Sequence, residues 1–288
     1  MKKTNKTQSG RLWMLQSAAF VILLAASAAQ SQAQIFNIGA RNTSLQINLA
    51  GGGLSNWTVN GVNQLNNQWF YYGVGSGLIN SIDTIAPWTT PTTTPGNAPS
   101  LSETYANSSL SVTTSYTLQS QPVGTPRAQL ATTISLLNLS GTTQTYHLYQ
   151  YSDFNLGGIP GGQSVQFAGL NAPYQVTQTG NGGNLIGTIT SISGGTSDSV
   201  EVEAALFNGQ QFGLTNFGGS VTLNNTLSAG PGNVDFAYEI DATVAPESSI
   251  TVSEIQLVPE PSSLALLSSG ILALTCLCRR KLVSLKKS

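Results

Sequence analysis

Val234-Asp235-Phe236-Ala237-Tyr238-Glu239-Ile240-Asp241-Ala242-Thr243-Val244 is the stretch on which the fold turns. Phe236, Tyr238, Ile240 and Ala242 point one way and Asp235, Glu239 and Asp241 the other. That period of two is the side-chain repeat of a β-strand with one buried and one wet face. Outward from this stretch the same rhythm recurs. Leu45, Ile47 and Leu49 alternate with Gln46 and Asn48, and Leu110, Val112, Tyr116 and Leu118 alternate with Ser111, Thr113, Ser115 and Thr117. Leu130, Ile134 and Leu136 continue it after a Pro/Gly turn at Pro122 to Pro126. In the last such segment the apolar parity changes, from Ile250 and Val252 to Ile255 and Leu257, which predicts a bulge near Ser253-Glu254. Asn60-Gly61, between two valines, and Asn208-Gly209, after Phe207, are hairpin signals of the type I′ kind. No segment between residues 34 and 257 sustains a helical period, so the expectation is an all-β, sandwich-like body of antiparallel strands.

One stretch breaks the rhythm. Pro87, Pro91, Pro95 and Pro99 recur through residues 86–100, with threonine in most gaps. Proline lacks the ladder donor, so this is no central strand. It reads as a long extended surface loop, or else as a linker between a small N-terminal part and the main sandwich.

The charges are segregated. Eleven basic and twelve acidic residues give a net charge of -1. Four of the basic residues lie at the start (Lys2, Lys3, Lys6, Arg11) and five at the end (Arg279, Arg280, Lys281, Lys286, Lys287). Between residues 34 and 258 only Arg41 and Arg127 face eleven carboxylates, and there is no lysine. A body of that sign is repelled by phosphate backbones, which argues against a nucleic-acid partner.

Both ends read as targeting segments. Residues 1–33 combine a basic start, an apolar run from Leu12 to Ala29 and small residues at Ser31 and Ala33. That is the pattern of a secretory signal cleaved before Gln34; the alternative is an uncleaved anchor. At the other end, residues 262–278 approach the length of a transmembrane helix, diluted by Ser262, Ser263, Ser268 and Ser269. Arg279, Arg280 and Lys281 follow as a membrane stop, and the positive-inside rule keeps them cytoplasmic with the body on the far side. Just before the span, Pro259-Glu260-Pro261 holds the backbone extended, a form that a peptidase can grip. Cys276 and Cys278 lie within the tail and the body has no cysteine, so its stability owes nothing to disulfides.

Pro259-Glu260-Pro261, one apolar helix and a basic end, in that order over residues 258–281, resemble the PEP-CTERM domain. That domain occurs on exported proteins of Gram-negative bacteria that make extracellular polysaccharide. The resemblance implies recognition by an exosortase, a membrane-embedded cysteine peptidase acting near the Pro-Glu-Pro motif. It also implies transient anchoring in the inner membrane, then delivery to the envelope or extracellular matrix. Such tails usually stop just after the arginines, whereas here a short basic tail, residues 282–288, continues.

Within the body the densest chemical cluster is Tyr146 to Phe154. As a strand it puts Thr145, His147, Tyr149, Tyr151 and Asp153 on one face. Aromatic rings beside a carboxylate and an imidazole suit a surface that binds extracellular polysaccharide, so His147, Tyr149, Tyr151 and Asp153 are candidate carbohydrate-binding residues, with Trp57 and Trp69 as further rings. The plain alternative is a central strand buried on both sides, its tyrosines reaching polar partners. Glu201 with Glu203, and Glu239 with Asp241, are paired carboxylates, but each alternates with apolar residues and reads as the wet side of its strand. No cleft for glycoside hydrolysis is indicated, no regular metal-ligand spacing appears, and the glycine-rich loops lack the strand-to-helix setting of a phosphate cradle. The expectation is therefore a non-enzymatic surface or matrix protein, without cofactor or metal. Its alternatives are a secreted carbohydrate-binding module and a polysaccharide-active hydrolase.

Overall fold

The alternating segments form strands throughout a computed structural model, which describes residues 34–86, 89–172, 174–180, 183–207 and 222–258. The signal segment 1–33, the Asn208-Gly209 turn, Pro259-Glu260-Pro261, the span 262–278, Arg279-Arg280-Lys281 and the tail 282–288 lie outside the described residues. Among the described residues no helix is long and apolar enough to cross a membrane.

The strands in chain order are β1 (Ile35–Ala40), β2 (Thr43–Asn48), β3 (Gly53–Val59), β4 (Val62–Asn63), β5 (Leu65–Val74), β6 (Asn80–Ser81), β7 (Thr92–Thr94), β8 (Ser100–Ala106) and β9 (Leu110–Gln119). They continue as β10 (Ala128–Asn138), β11 (Gln144–Phe154), β12 (Gln163–Phe167), β13 (Gln175–Gly180), β14 (Gly183–Ser193), β15 (Thr196–Leu206), β16 (Ser228–Gly232), β17 (Val234–Val244) and β18 (Ser249–Val258). One sheet runs β1-β2-β3-β5-β11-β17-β15, with β4 on β3 and β6 on β5. The other runs β16-β12-β13-β14-β18-β10-β9-β8-β7. The ladders are antiparallel, and the two sheets stack as a β-sandwich.

Consecutive strands often change sheets. β10 leads across to β11, and β17 turns through Ala245 to Ser248 into β18. The inner faces meet over a core in which Phe154, Phe167, Phe236 and Tyr238 interlock. Phe154 stacks on Phe236 at 6.0 Å, and Phe167 meets Tyr238 edge-on at 5.4 Å. Burying each such ring stabilises the fold by about 1.5–3 kcal/mol.

Buried amides fasten the turns. The Asn138 Nδ2 donates to the carbonyls of Thr142 and Val244 at 2.7 and 2.9 Å, while its Oδ1 accepts from the Tyr146 hydroxyl at 3.0 Å. The Asn42 Nδ2 donates to the carbonyls of Thr125 and Arg127, tying the β1–β2 turn to the loop before β10. Asn60 and Gly61, both at positive φ (50° and 78°), make the tight turn between β3 and β4.

Three expectations are corrected. Within the Pro/Thr stretch, Thr92–Thr94 pairs with β8 as the outermost strand of its sheet, a position where flanking prolines do no harm. β18 keeps one parity, Ile250, Val252, Glu254, Gln256 and Val258 all being buried. Its ladder to β10 is unbroken, and the bulge lies in the neighbouring β14, where the register shifts between Ile189 and Ser191 opposite Glu254 and Ser253. The apolar side chains of Ile255 and Leu257 misled because two polar residues, Glu254 and Gln256, occupy interior positions. Finally, the side of β17 carrying Asp235 and Glu239 is not wet, since both residues are 1% exposed.

Candidate functional site

The buried carboxylates of β17 lead to the outer face of the first sheet. Gln150 of β11 donates to Glu254 of β18, and Phe236 and Tyr238 of β17 pack on Phe167 of β12, so the even-numbered residues of β11 and β17 face the second sheet. The odd-numbered residues therefore face away from it. Register places His147 opposite Asp241, Tyr149 between Tyr71 and Glu239, and Glu201 beside Glu239.

This outer face is roofed. The segment before β16 crosses it, where the Leu223 N–H donates to Glu239 Oε2 at 2.9 Å and the Asn224 N–H to Glu203 Oε2 at 3.2 Å. Beside β5, Ile79, Ile82 and Ile85 are buried, and burial, with the nearby Asp83 carboxylate adding to it, raises the Tyr71 phenol. Leu223 itself is 2% exposed.

Under the roof the strand Tyr146 to Phe154 is the central, doubly buried one, with Tyr149, Tyr151 and Asp153 each at 1% exposure or less. The Tyr151 hydroxyl donates to Asp235 Oδ2 at 3.2 Å, and the Asn66 Nδ2 to Asp153 Oδ2 at 2.7 Å. Trp57 and Trp69 are also core residues. Their indoles donate to the Thr43 and Ser81 hydroxyls at 3.0 and 2.7 Å. The four rings offered for stacking on sugars are thus engaged inside the protein. His147 alone of that group reaches solvent, its side chain being 25% exposed.

Electrostatics follow from this burial. Desolvation raises the Asp235 carboxyl to about 7, against a lowering hydrogen bond from Tyr151. It raises Asp153 and Glu239 as well, and the Leu223 N–H and Tyr149 hydroxyl only partly oppose it at Glu239. Burial drives the Tyr149 and Tyr151 phenols up, with nearby carboxylates adding to it. The inner face holds two more such groups. Desolvation lifts Glu254 to about 7 and Glu103 to about 8. His147 lies against two carboxylates, its Nδ1 being 2.5 Å from Asp241 Oδ1 and 3.5 Å from Glu239 Oε1.

In the sequence His147 stands out, whereas Glu239 and Asp241 read as a solvated strand face. Ser199, whose hydroxyl donates to Asp241 Oδ2 at 2.8 Å, and Asp235 do not read as site residues from the sequence. The alternation of Asp235, Glu239 and Asp241 was a visible signal. Their partner strand was not, because 94 residues separate His147 from Asp241.

A search of curated proteins finds no match. Among solved structures, a bacterial glucoamylase complexed with acarbose aligns at 12% identity and a TM-score of 0.50, over 84% of this chain and 35% of that one. This chain thus spans about a third of the glucoamylase's length. A putative aldose 1-epimerase from Escherichia coli K12 aligns at 10% identity and a TM-score of 0.46, over 78% and 98% of the two chains. The glucoamylase likeness is one of fold alone. The profile of the PEP-CTERM protein-sorting motif matches residues 257–281, the segment that begins in the last two residues of β18. The chain therefore carries a PEP-CTERM sorting signal, in the place where Pro259-Glu260-Pro261 and the basic end predict one.

Proposed function

We propose that this is an exported cell-surface or extracellular-matrix protein, a non-catalytic structural or adhesive body in a polysaccharide or biofilm setting. Residues 1–33 act as the signal peptide, 34–257 as the exported body and 258–281 as the sorting signal read by an exosortase-type enzyme at the inner membrane of a Gram-negative bacterium. The observation that carries this reading is the join between body and signal. Val258 pairs with Ala128 as the last rung of a central ladder, and Pro259 follows at once. A folded passenger thus ends where its sorting signal starts. The engagement of Tyr149, Tyr151, Trp57 and Trp69 in packing supports a body whose work is done by its polar Ser/Thr/Asn surface and not by a stacked sugar.

The test is fractionation of cells that possess an exosortase system and express the wild type or Pro259→Ala. The wild type is expected to be processed and to reach the envelope or matrix, and the variant to stay unprocessed in the inner membrane. Equal processing and location for both would overturn the sorting function. Turnover on a polysaccharide panel would overturn the non-catalytic one. A second reading, a carbohydrate-binding module, draws on the partly exposed polar edge formed by His147 and Asp241. Glycan-array binding that is lost in His147→Ala supports it, and a blank array removes it.

A further inference from the structure

We propose that His147, Glu239 and Asp241 form a binding site for a divalent transition-metal ion, zinc foremost. The three supply one imidazole nitrogen and two carboxylate oxygens, all within 4.8 Å of one another. Nδ1 of His147 is 2.5 Å from Asp241 Oδ1 and 3.5 Å from Glu239 Oε1. Zinc bound to nitrogen and oxygen at about 2.0–2.2 Å holds tetrahedral ligands roughly 3.4 Å apart, close to the His147–Glu239 separation, while Asp241 Oδ1 must back away from Nδ1 by about 0.9 Å.

The surroundings aim the ligands. Glu239 Oε2 is held by the Leu223 N–H and Asp241 Oδ2 by the Ser199 hydroxyl, and the Tyr149 hydroxyl also hydrogen-bonds the Glu239 carboxyl, while Oε1 and Oδ1 are the oxygens that lie against the imidazole. Outer partners of this kind fix ligand orientation in metal sites. The local charge also calls for a cation. Glu201, beside Glu239 on the same face, has a buried Oε2 with no hydrogen-bond partner. The body has no lysine, and among the described residues neither of its two arginines pairs with a carboxylate. A buried carboxylate without a counter-charge is costly, and a bound ion removes that cost. Access exists, since the His147 and Asp241 side chains are 25% and 18% exposed. A fourth position is thereby left to water. An imidazole with two carboxylates favours zinc over calcium or magnesium, which prefer oxygen alone. An ion bound at Nδ1 takes the neutral imidazole with its ring proton on Nε2, and the ion then replaces the direct contact between Nδ1 and Asp241 Oδ1.

The experiment uses the full chain carrying Cys276→Ser and Cys278→Ser, so that tail thiols take no zinc. After chelator treatment, zinc is titrated against a competing fluorescent indicator, with calcium in a parallel arm. One equivalent of zinc is expected, with a first shell of nitrogen and oxygen by X-ray absorption. His147→Ala and Asp241→Asn should each weaken binding about 100-fold or more and Ser199→Ala about 10-fold, the scale seen for ligand and outer-partner losses. Asp241→Asn keeps the side-chain shape, so an unfolded His147→Ala, seen by circular dichroism, leaves the proposal testable. Failure of the wild type to take up zinc would overturn it. So would uptake that is unchanged in folded His147→Ala and Asp241→Asn, or matched by calcium, since either outcome reduces the site to a carboxylate surface.

Discussion

β10 and β11 follow each other in the chain and lie at the centres of opposite sheets, yet their surroundings differ. β10 alternates strictly, buried residues such as Leu130, Ile134 and Leu136 taking turns with half-exposed Gln129, Thr133 and Ser135. β11 is buried on both sides from Leu148 to Phe154. Its inner side packs on the second sheet, and its outer side lies on the face that Leu223 and Asn224 cross. A strand with one wet side puts its polar residues in water, where they interact weakly. A strand covered twice must pair its polar residues inside, which is why tyrosines, carboxylates and the histidine gather on β11 and its neighbour β17.

The largest effect that would sharpen this contrast comes from the shared core. Phe236→Ala removes a ring held by Phe154, Phe167 and Tyr238 and should cost about 3–5 kcal/mol in urea unfolding. Thr133→Ala, on the half-exposed side of β10, should cost under ~0.5 kcal/mol. Comparable losses would mean that the side of β10 read as wet is covered in solution.

Next is the response to pH. Glu103, beside Thr114 and Tyr116, and Glu254, between Gln150 and Gln256, hold their protons to about 8 and about 7, against 4.5 for a free glutamate. Between those values the folded state binds more protons than the unfolded one, so stability falls as pH rises. It is greatest below pH 4.5, declines through the folded pKa values and levels off above about 8. The melting temperature should therefore be higher at pH 5 than at pH 8, and Glu103→Gln should raise the pH 8 value and flatten the slope. A melting temperature that rises between pH 5 and pH 8 would show these carboxyls to be ionised and paired.

A more modest loss than that of Phe236→Ala tests the covered face. Tyr151→Phe keeps the ring but removes the donor to Asp235, and should cost about 1–2 kcal/mol because that carboxylate loses its partner. No change would mean that water replaces the hydroxyl and the face is open.

Much of this was legible in the residues. Period-two alternation located the strands around Leu45, Leu110, Leu130 and Phe236, and Asn60-Gly61 marked its turn. The sorting signal was plain because its physics is local: two prolines, an apolar run and a basic stop, adjacent in order. Other features were hidden. Glu254 and Gln256 take interior positions that composition would deny them, so the apolar pattern points to a bulge in β18 where the structure has it in β14. Glu239 and Asp241 looked solvated because alternation reports which residues share a face and says nothing of what lies over it.

The sequence by itself therefore determined the strand content, the alternation of faces and the C-terminal sorting signal, all set by residues within a few positions of one another. Only the tertiary structure decided that His147 meets Glu239 and Asp241 and that their face is roofed. Those contacts join segments 94 residues apart through a ladder and a crossing loop, and no local periodicity encodes which strands become neighbours.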